Sequence, residues 1–486
     1  MTQCKSSGSK EQGQMSLDLG LGKDIEAKFD GGLISSDGGL LLLRKADEKL
    51  ELSKLAGFCF RDSRRADLVE HPIERLFQQR TFAIAAGYED CNDAAHLRFD
   101  PMYKLASGLL PSGEKTLASQ PTLSRFENAA DDVTLKALQK LLVHTYIRAQ
   151  KKAPKVLRLS MDTTCDEVHG YQQLSFYNGF YKTDCYVPLF IFTEDGFPLT
   201  ALLRPGNAGI FEGAVRMLRD VISSIRLAWP KTRIELTADA AFATREVYHF
   251  CEENAVTYYI CIKENHALTC KVKDLIAECK KEYEQLTGQV HELKHGRHMN
   301  SKEVYRLWRQ KEERLRFASK QEGRMQEHFE EELLVKRFYQ FDYEARQWPY
   351  PRRVIARCQY GKSGPDIRFV VTNSKYGSAE ANYQKYCQRA QCENWIKDLK
   401  NYLKCDRTSC QEFNANQLRV LLHAFACVLI WQIKRVAGLR HSTVESVRLQ
   451  LLKLGVLVKV TARKVWLHLA SEHPWQRQFE TAWLNL

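Results

Sequence analysis

Two short segments constrain this chain more than anything else in it. Val156-Leu157-Arg158-Leu159-Ser160-Met161-Asp162 and Arg233-Ile234-Glu235-Leu236-Thr237-Ala238-Asp239 share one design. Strand side chains alternate between faces, so Leu157, Leu159 and Met161 share a face and Asp162 lies opposite, at the carboxyl end. Ile234, Leu236 and Ala238 repeat the pattern, with Asp239 opposite. As parallel neighbours in an open α/β sheet, both aspartates end where ligands of such sheets collect. A lone strand-end aspartate also reads as a turn or helix cap, and Asp166 and Asp184 are alternative acids close by.

The surrounding pattern supplies the sheet. Tyr186–Phe192, Pro198–Arg204 and Thr257–Ile262 read as further strands, and Glu212–Leu227 and Arg245–Glu253 as helices between them. The order β-β-β-α-β-α-β fits an α/β, ribonuclease H-like core better than an even strand–helix alternation. That core occupies 151–263 and resumes at 366–412, with Ile367–Thr372 as a strand and Ala379–Leu403 as one long helix. Between them, the highly charged stretch 264–365 reads as an inserted domain. Before them, 1–23 reads as disordered and 24–150 as a helical DNA-binding region. After them, 413–486 is a helical region with a possible hairpin at Val456–Leu467.

The helix at 379–403 carries a third acid. At about 100° per residue, Tyr386, Arg389, Glu393 and Lys400 fall within roughly 60° of one another. Cys392, Ile396, Leu399 and Leu403 form a neighbouring apolar stripe that would pack the helix on the sheet. Glu393 can therefore be delivered to the two aspartates. Two carboxylates about 4 Å apart repel by roughly 4 kcal/mol at an effective dielectric of about 20, so a third needs compensating cations. Hard oxygen ligands suit Mg²⁺, with Mn²⁺ able to substitute, and paired ions suit in-line phosphoryl displacement. Arg389 and Lys400 could hold the phosphates of a scissile strand. Arg389 and Glu393 also read as an ordinary exposed helix pair.

These residues resemble a known group. The spacing Tyr-(2)-Arg-(3)-Glu-(6)-Lys matches the signature of DDE insertion-sequence transposases, and the wider chain resembles the bacterial insertion-sequence family thirteen-eighty. Similar segments include Ser35-Ser36-Asp37-Gly38-Gly39-Leu40, Tyr177-Asn178-Gly179, Leu203-Arg204-Pro205-Gly206-Asn207 and Asn416-Gln417-Leu418-Arg419. The resemblance implies a ribonuclease H-like core, Mg²⁺ dependence and cut-and-paste mobilisation of an element by its terminal inverted repeats. It gives Asp162, Asp239 and Glu393 the catalytic, metal-holding places, and Tyr386, Arg389 and Lys400 those of strand-contacting residues. It also implies a homodimer on paired ends. The chain departs from the family pattern at Ser160, where an aspartate is expected. It departs again at Ala240-Ala241, where a Ser-Gly pair is expected.

A polyanionic partner agrees with the charge balance: Lys plus Arg is 72 against 59 for Asp plus Glu, a net +13. Outside the core, Leu117–Asn128 resembles the turn and recognition helix of a helix-turn-helix, with Thr122, Ser124 and Arg125 facing DNA; an ordinary capped surface helix fits equally. Arg346, Arg352, Arg353 and Arg357 around Trp348 read as a DNA-tracking surface, with Trp348 stacking on an unpaired base or buried in a core. The fifteen cysteines contain no Cys-x-x-Cys pair and read as reduced thiols rather than a zinc site. No apolar run approaches the roughly 20 residues of a membrane span, and Met1–Lys23 lacks a signal peptide's apolar stretch. A cytoplasmic protein acting on DNA, without a membrane partner, is expected. A stand-alone nuclease and a non-catalytic DNA-binding relative are the alternatives to a transposase.

Overall fold

The computed structural model describes residues 15–17, 19–23, 25–209, 211–295, 334–346 and 348–486. Its centre is a mixed sheet of eight strands: β1 (Val156–Thr163), β2 (Leu189–Thr193), β3 (Pro198–Leu202), β4 (Arg233–Ala238), β5 (Val256–Ile262), β6 (Val335–Tyr343), β7 (Arg352–Gly361) and β8 (Gly364–Thr372). Their spatial order is β6-β7-β8-β5-β4-β1-β2-β3. β4 runs parallel to both β1 and β5, and all other neighbours are antiparallel. The three parallel strands sit centrally; Leu157, Leu159, Met161, Ile234, Leu236 and Ala238 are buried, and the alternate positions of β1 and β4 carry polar side chains.

Among the helices of the described residues are α1 (Ile73–Ala86), α2 (Gln120–Asn128), α3 (Asp132–Ala149), α4 (Ala214–Ala228), α5 (Arg245–Glu253), α6 (Lys273–His295), α7 (Ala379–Cys387), α8 (Ala390–Lys397) and α9 (Phe413–Val436). α4 and α5 are the crossovers into β4 and β5; α4 buries Met217, Leu218, Val221, Ile222 and Ile225, the one-sided stripe of a helix lying on a sheet. α9 is apolar on every side, and residues Ala415 to Ile433 are buried without a break. By length and composition it could cross a membrane, but 83% of that stretch lies inside the protein. It packs against α1, α3 and β3 as a core helix.

The backbone differs from five expectations. The strand expected over Tyr186–Phe192 is split: Thr183–Tyr186 joins a small sheet with Asp166–Glu167 and Phe176–Asn178, while β2 begins at Leu189. Pro188 stands in the gap, with no N–H to continue a ladder, and its carbonyl accepts from Thr164 N at 3.1 Å. The single helix expected over Ala379–Leu403 is also broken. Around Arg389 the hydrogen bonds tighten to i−3 (Arg389 N to Tyr386 O 2.9 Å, Cys392 N to Arg389 O 2.8 Å), and Asp398–Tyr402 then widens into a π-type turn.

The stretch expected as an insert, 264–365, is shared with the core, because β6 and β7 extend the main sheet; 296–333 lies outside the described residues. Within the N-terminus expected to be disordered, Met15–Leu17 pairs with Ile25–Ala27, and 1–14 lies outside the described residues. The terminal regions, expected as separate units, are joined: Leu33–Ser35 forms a sheet with the hairpin Val456–Val460 and Val465–Leu469. Gly39 is required at that junction, since a Cβ there would stand 1.9 Å from the Leu451 carbonyl.

Candidate active site

The parallel register of β1 and β4 builds the site rung by rung. Arg158 pairs with Glu235, Ser160 with Thr237 and Met161 with Ala238, where the register ends; Asp162 and Asp239 are the next residues on the two strands. The first rung is an ion pair, Arg158 Nε to Glu235 Oε2 at 3.1 Å, and the second is a buried hydroxyl pair at 2.9 Å. Ser160, where the family pattern has an aspartate, is thus committed to the sheet. Beyond that last pair two carboxylates follow on neighbouring strands, close enough for the Asp239 charge to raise the Asp162 carboxyl.

Each aspartate is held by backbone. Thr163 N donates to Asp162 Oδ1 at 2.9 Å, and Ala241 N donates to Asp239 Oδ1 at 3.0 Å, making Asp239 the cap of a short 3-10 turn. Ala241, the second departure from the family pattern, supplies that N–H without help from its side chain. Asp162 is only 5% exposed, and burial raises its carboxyl to about 6. The Arg389 cation opposes that rise, while the charges of Asp239 and Glu393 add to it.

The helices α7 and α8 cover the same face. Lys385 Nζ reaches Glu235 at 2.9 Å and the Tyr259 hydroxyl at 3.0 Å. Arg389 donates to Asp162 Oδ2 at 3.0 Å and to Glu393 Oε1 at 2.9 Å, so one guanidinium links two of the acids. Glu393 is otherwise open to solvent, on the rim of a pocket of about 240 Å³ that also includes Asp162, Thr163, Thr164 and Lys400. Cys392, Ile396, Leu399 and Leu403 are buried as the apolar stripe requires. Trp395 packs against Phe192 with the rings tilted by 42° and ring centres 5.5 Å apart.

The remaining residues of the helix separate. Tyr386 does not share the open stripe: its ring is buried among Tyr259, Ile355, Val370 and Tyr383. Tightening of the helix at Arg389 rotates it away from the position that uniform winding predicts. Lys400 lies on the π-type turn and reaches back to the loop after β1, hydrogen-bonding Thr164 Oγ1 at 3.3 Å and the Cys165 carbonyl, with Asp166 Oδ1 at 3.5 Å. Asp166 is fully enclosed and belongs to Lys400, not to the strand-end pair, and Asp184 is exposed on the small sheet; neither replaces Asp162 beside Asp239.

Among the described residues, no three His, Cys, Asp or Glu side chains converge closely enough to hold a metal ion. Arg389 accounts for this, because its cation stands between Asp162 and Glu393. The donor set is nevertheless that of a hard divalent ion: three carboxylates, one of them buried with its charge incompletely balanced.

Residues proposed for DNA outside this centre have mixed placements. Arg352 is buried, paired in two hydrogen bonds with Glu252 and flanked by the rings of Tyr248, Trp348 and Tyr350. Trp348 packs edge-on against Tyr248 and Tyr343. Trp348 is half-buried against the core, and the Arg352 guanidinium is engaged by Glu252. Arg353 is half-buried and donates to the carbonyls of Ser374 and Gly377. On α2, Leu123 and Phe126 face inward, Arg125 is exposed and Thr122 and Ser124 are partly so.

Sequence reasoning missed Glu127. It is buried on α2 between Arg80 Nε and Arg419 Nε, each at 2.8 Å, and so ties α1 and α9 together. The segment Asn416-Gln417-Leu418-Arg419 was the available signal.

Fold and site together define an α/β protein with paired carboxylates at the ends of adjacent parallel strands and a third acid on the covering helix. The family model described as Transposase DDE domain group 1 matches residues 17–486, and the chain belongs to that family. It is thus a member of a transposase family, whose chemistry is phosphoryl transfer on DNA. No curated protein matches the chain. Among solved structures it is similar to a piggyBac transposase in a synaptic complex with hairpin DNA, at 11% identity and a TM-score of 0.36, covering 86% of this chain and 80% of that one. That likeness is too distant to transfer residue roles.

Proposed function

We propose that this protein is a cut-and-paste transposase of a bacterial insertion sequence, with Asp162, Asp239 and Glu393 as its catalytic triad on a ribonuclease H-like core. The observation that supports it is that Asp162 and Asp239 directly follow the last paired residues of the parallel strands β1 and β4, with Glu393 tied to Asp162 through Arg389. The strand order β3-β2-β1-β4-β5, with its antiparallel first pairs and crossover helices, supports the ribonuclease H-like reading.

Asp162, Asp239 and Glu393 would hold Mg²⁺, or Mn²⁺ in its place. When bound, such ions activate water and neutralise charge on the scissile phosphate. The residues of the chain do the rest. Asp162 presents a carboxylate from a rigid strand, and Asp239 presents one braced by the Ala241 N–H. Arg389 exchanges a carboxylate for a phosphate oxygen, a bidentate partner suited to its planar fork. Lys400 fixes the loop that follows Asp162. The protein would act in the cytoplasm as a homodimer on paired terminal inverted repeats. Arg125 and Ser124 of α2 are candidates for end recognition.

The test uses purified protein and DNA carrying both element ends, with Mg²⁺ or with EDTA. Metal-dependent breaks at the element boundary, followed by joined products, are expected. Breaks without joining would make it a stand-alone nuclease. Binding without cleavage under several metals would make it a non-catalytic relative.

A further inference from the structure

Two segments that the sequence singles out, Leu203-Arg204-Pro205-Gly206-Asn207 and Asn416-Gln417-Leu418-Arg419, meet beside the carboxylates: Leu203 N donates to Gln417 Oε1 at 2.7 Å. Thr163 of β1 pairs with Leu189 of β2, and Leu189 with Leu202 of β3. The end of β3 therefore lies at the same end of the sheet as Asp162, and Arg204 follows two residues later. The segment is tightly seated, since a Cβ on Gly206 would stand 2.2 Å from the Phe176 carbonyl and 2.3 Å from that of Cys185. Arg204 is only 3% exposed. Such burial works against a cation and pulls its guanidinium down to about 10.

The bonds of this buried side chain lead to the residue after Asp162. Arg204 Nη2 donates to Thr163 Oγ1 at 2.7 Å and Nε to the Val187 carbonyl at 2.8 Å. Nη1 donates to the carbonyls of Gly209 at 3.2 Å and Glu212 at 3.1 Å, and the Arg204 carbonyl accepts from Val187 N at 3.0 Å. One side chain thus gathers the end of β1, the approach to β2 and the turn before α4. A guanidinium can only donate, so Thr163 must give its single hydroxyl proton elsewhere. It goes to the Pro188 carbonyl at 3.0 Å. Threonine is stiff at χ1, and with its hydroxyl held on both sides the whole residue is fixed. Its N–H is the donor to Asp162 Oδ1 at 2.9 Å. Lys400 holds the next residue, Thr164, from the π-type turn.

We propose that Arg204 is a positioning residue for the cleavage centre: through Thr163 it fixes the end of β1 so that the Asp162 carboxylate is aimed for a divalent metal ion. The inference rests on the transposase reading above. Arg204 touches neither metal nor DNA in this account; it acts through the Thr163 hydroxyl alone. Removing an outer partner of a metal-holding group typically costs about 10–100-fold in metal affinity or activity.

The experiment compares wild type with Arg204→Gln, Thr163→Val, the double variant and Arg204→Lys. Mn²⁺ affinity of the DNA-free full chain is read by electron paramagnetic resonance, and cleavage rate and end binding are measured in parallel. Arg204→Gln and Thr163→Val should each weaken Mn²⁺ and slow cleavage by about tenfold or more, with end binding unchanged. The double variant should be no worse than Arg204→Gln, because both break one chain of bonds. Arg204→Lys, which keeps a charged donor on a long stem, should recover part of the loss. Should Arg204→Gln fail to fold, Thr163→Val decides, since it leaves the bonds of Arg204 to Val187, Gly209 and Glu212 in place. Mn²⁺ affinity and cleavage indistinguishable from wild type would overturn the inference. So would additive losses in the double variant, or a loss of cleavage matched by an equal loss of end binding. A wild type that cleaves no end DNA would instead contradict the transposase reading.

Discussion

Asp166 shows how one enclosed carboxyl can couple this site to pH. Burial pushes it up to about 7, against the pull of Lys400. Apart from Lys400 at 3.5 Å, its oxygens have no partner among the described residues. An aspartate raised above its unfolded value costs nothing while protonated and costs stability once ionised, so stability is lost as pH rises through about 7. Asp166→Asn should therefore melt at a higher temperature than wild type at pH 8. The gain, on the order of 3 kcal/mol, should vanish near pH 4. Equal melting shifts at both pH values, measured by calorimetry, would show that the ionised form is not the costly one.

The same scale separates what could be read from the sequence from what could not. Period-two alternation put Asp162 and Asp239 on corresponding faces, and they directly follow the last pair, Met161 with Ala238, of the parallel strands β1 and β4. Tyr386 failed because uniform winding was assumed through a helix that tightens at Arg389. Trp348 was open between core and surface, and Arg352 was read as surface, since a short aromatic and basic run has the same composition in either place. No local pattern announces that Glu127 meets Arg80 and Arg419, because the contact joins segments far apart in the chain.

At the scale of elements, the position of Glu393 depends on how α8 is seated. Trp395 is its anchor, lying on Phe192 and directly over Gly196, where a Cβ would stand 2.7 Å from the indole nitrogen. Gly196 also has φ +79°, so both space and backbone demand glycine there. Trp395→Ala should let α8 shift without unfolding the sheet. Misplacement by about 1 Å can cost about 100-fold in rate, so cleavage should fall by that order while DNA binding changes little. Parallel measurement of cleavage rate and dissociation constant checks this. Equal losses in both would assign Trp395 to binding. The breaks that sequence missed at this scale, Pro188 in the strand and the π-type turn at Asp398–Tyr402, both hold the loop that follows Asp162, through the Pro188 carbonyl and Lys400 on Thr164.

Over the whole molecule, the terminal regions act as one body around α9. Glu127 is the polar joint, with its carboxyl between Arg80 of α1 and Arg419 of α9. Burial would raise that carboxyl, but the two guanidiniums outweigh it and hold it at about 2. A depressed carboxylate stabilises above its unfolded value and loses that contribution as pH falls through about 2, so the joint should persist through mild acid. Glu127→Ala would leave two buried cations unpaired and should cost about 3–5 kcal/mol, read from denaturant unfolding. A loss under about 1 kcal/mol would mean that the helices do not depend on this joint. The central claim is that the sheet end and α8 assemble a catalytic centre separable from DNA recognition. Its most direct test measures end binding and Mg²⁺-dependent cleavage in parallel for wild type and Asp239→Ala. The expected result is cleavage reduced below detection with the dissociation constant for element ends nearly unchanged; cleavage at the wild-type rate, by a variant lacking the Asp239 carboxylate, would contradict it.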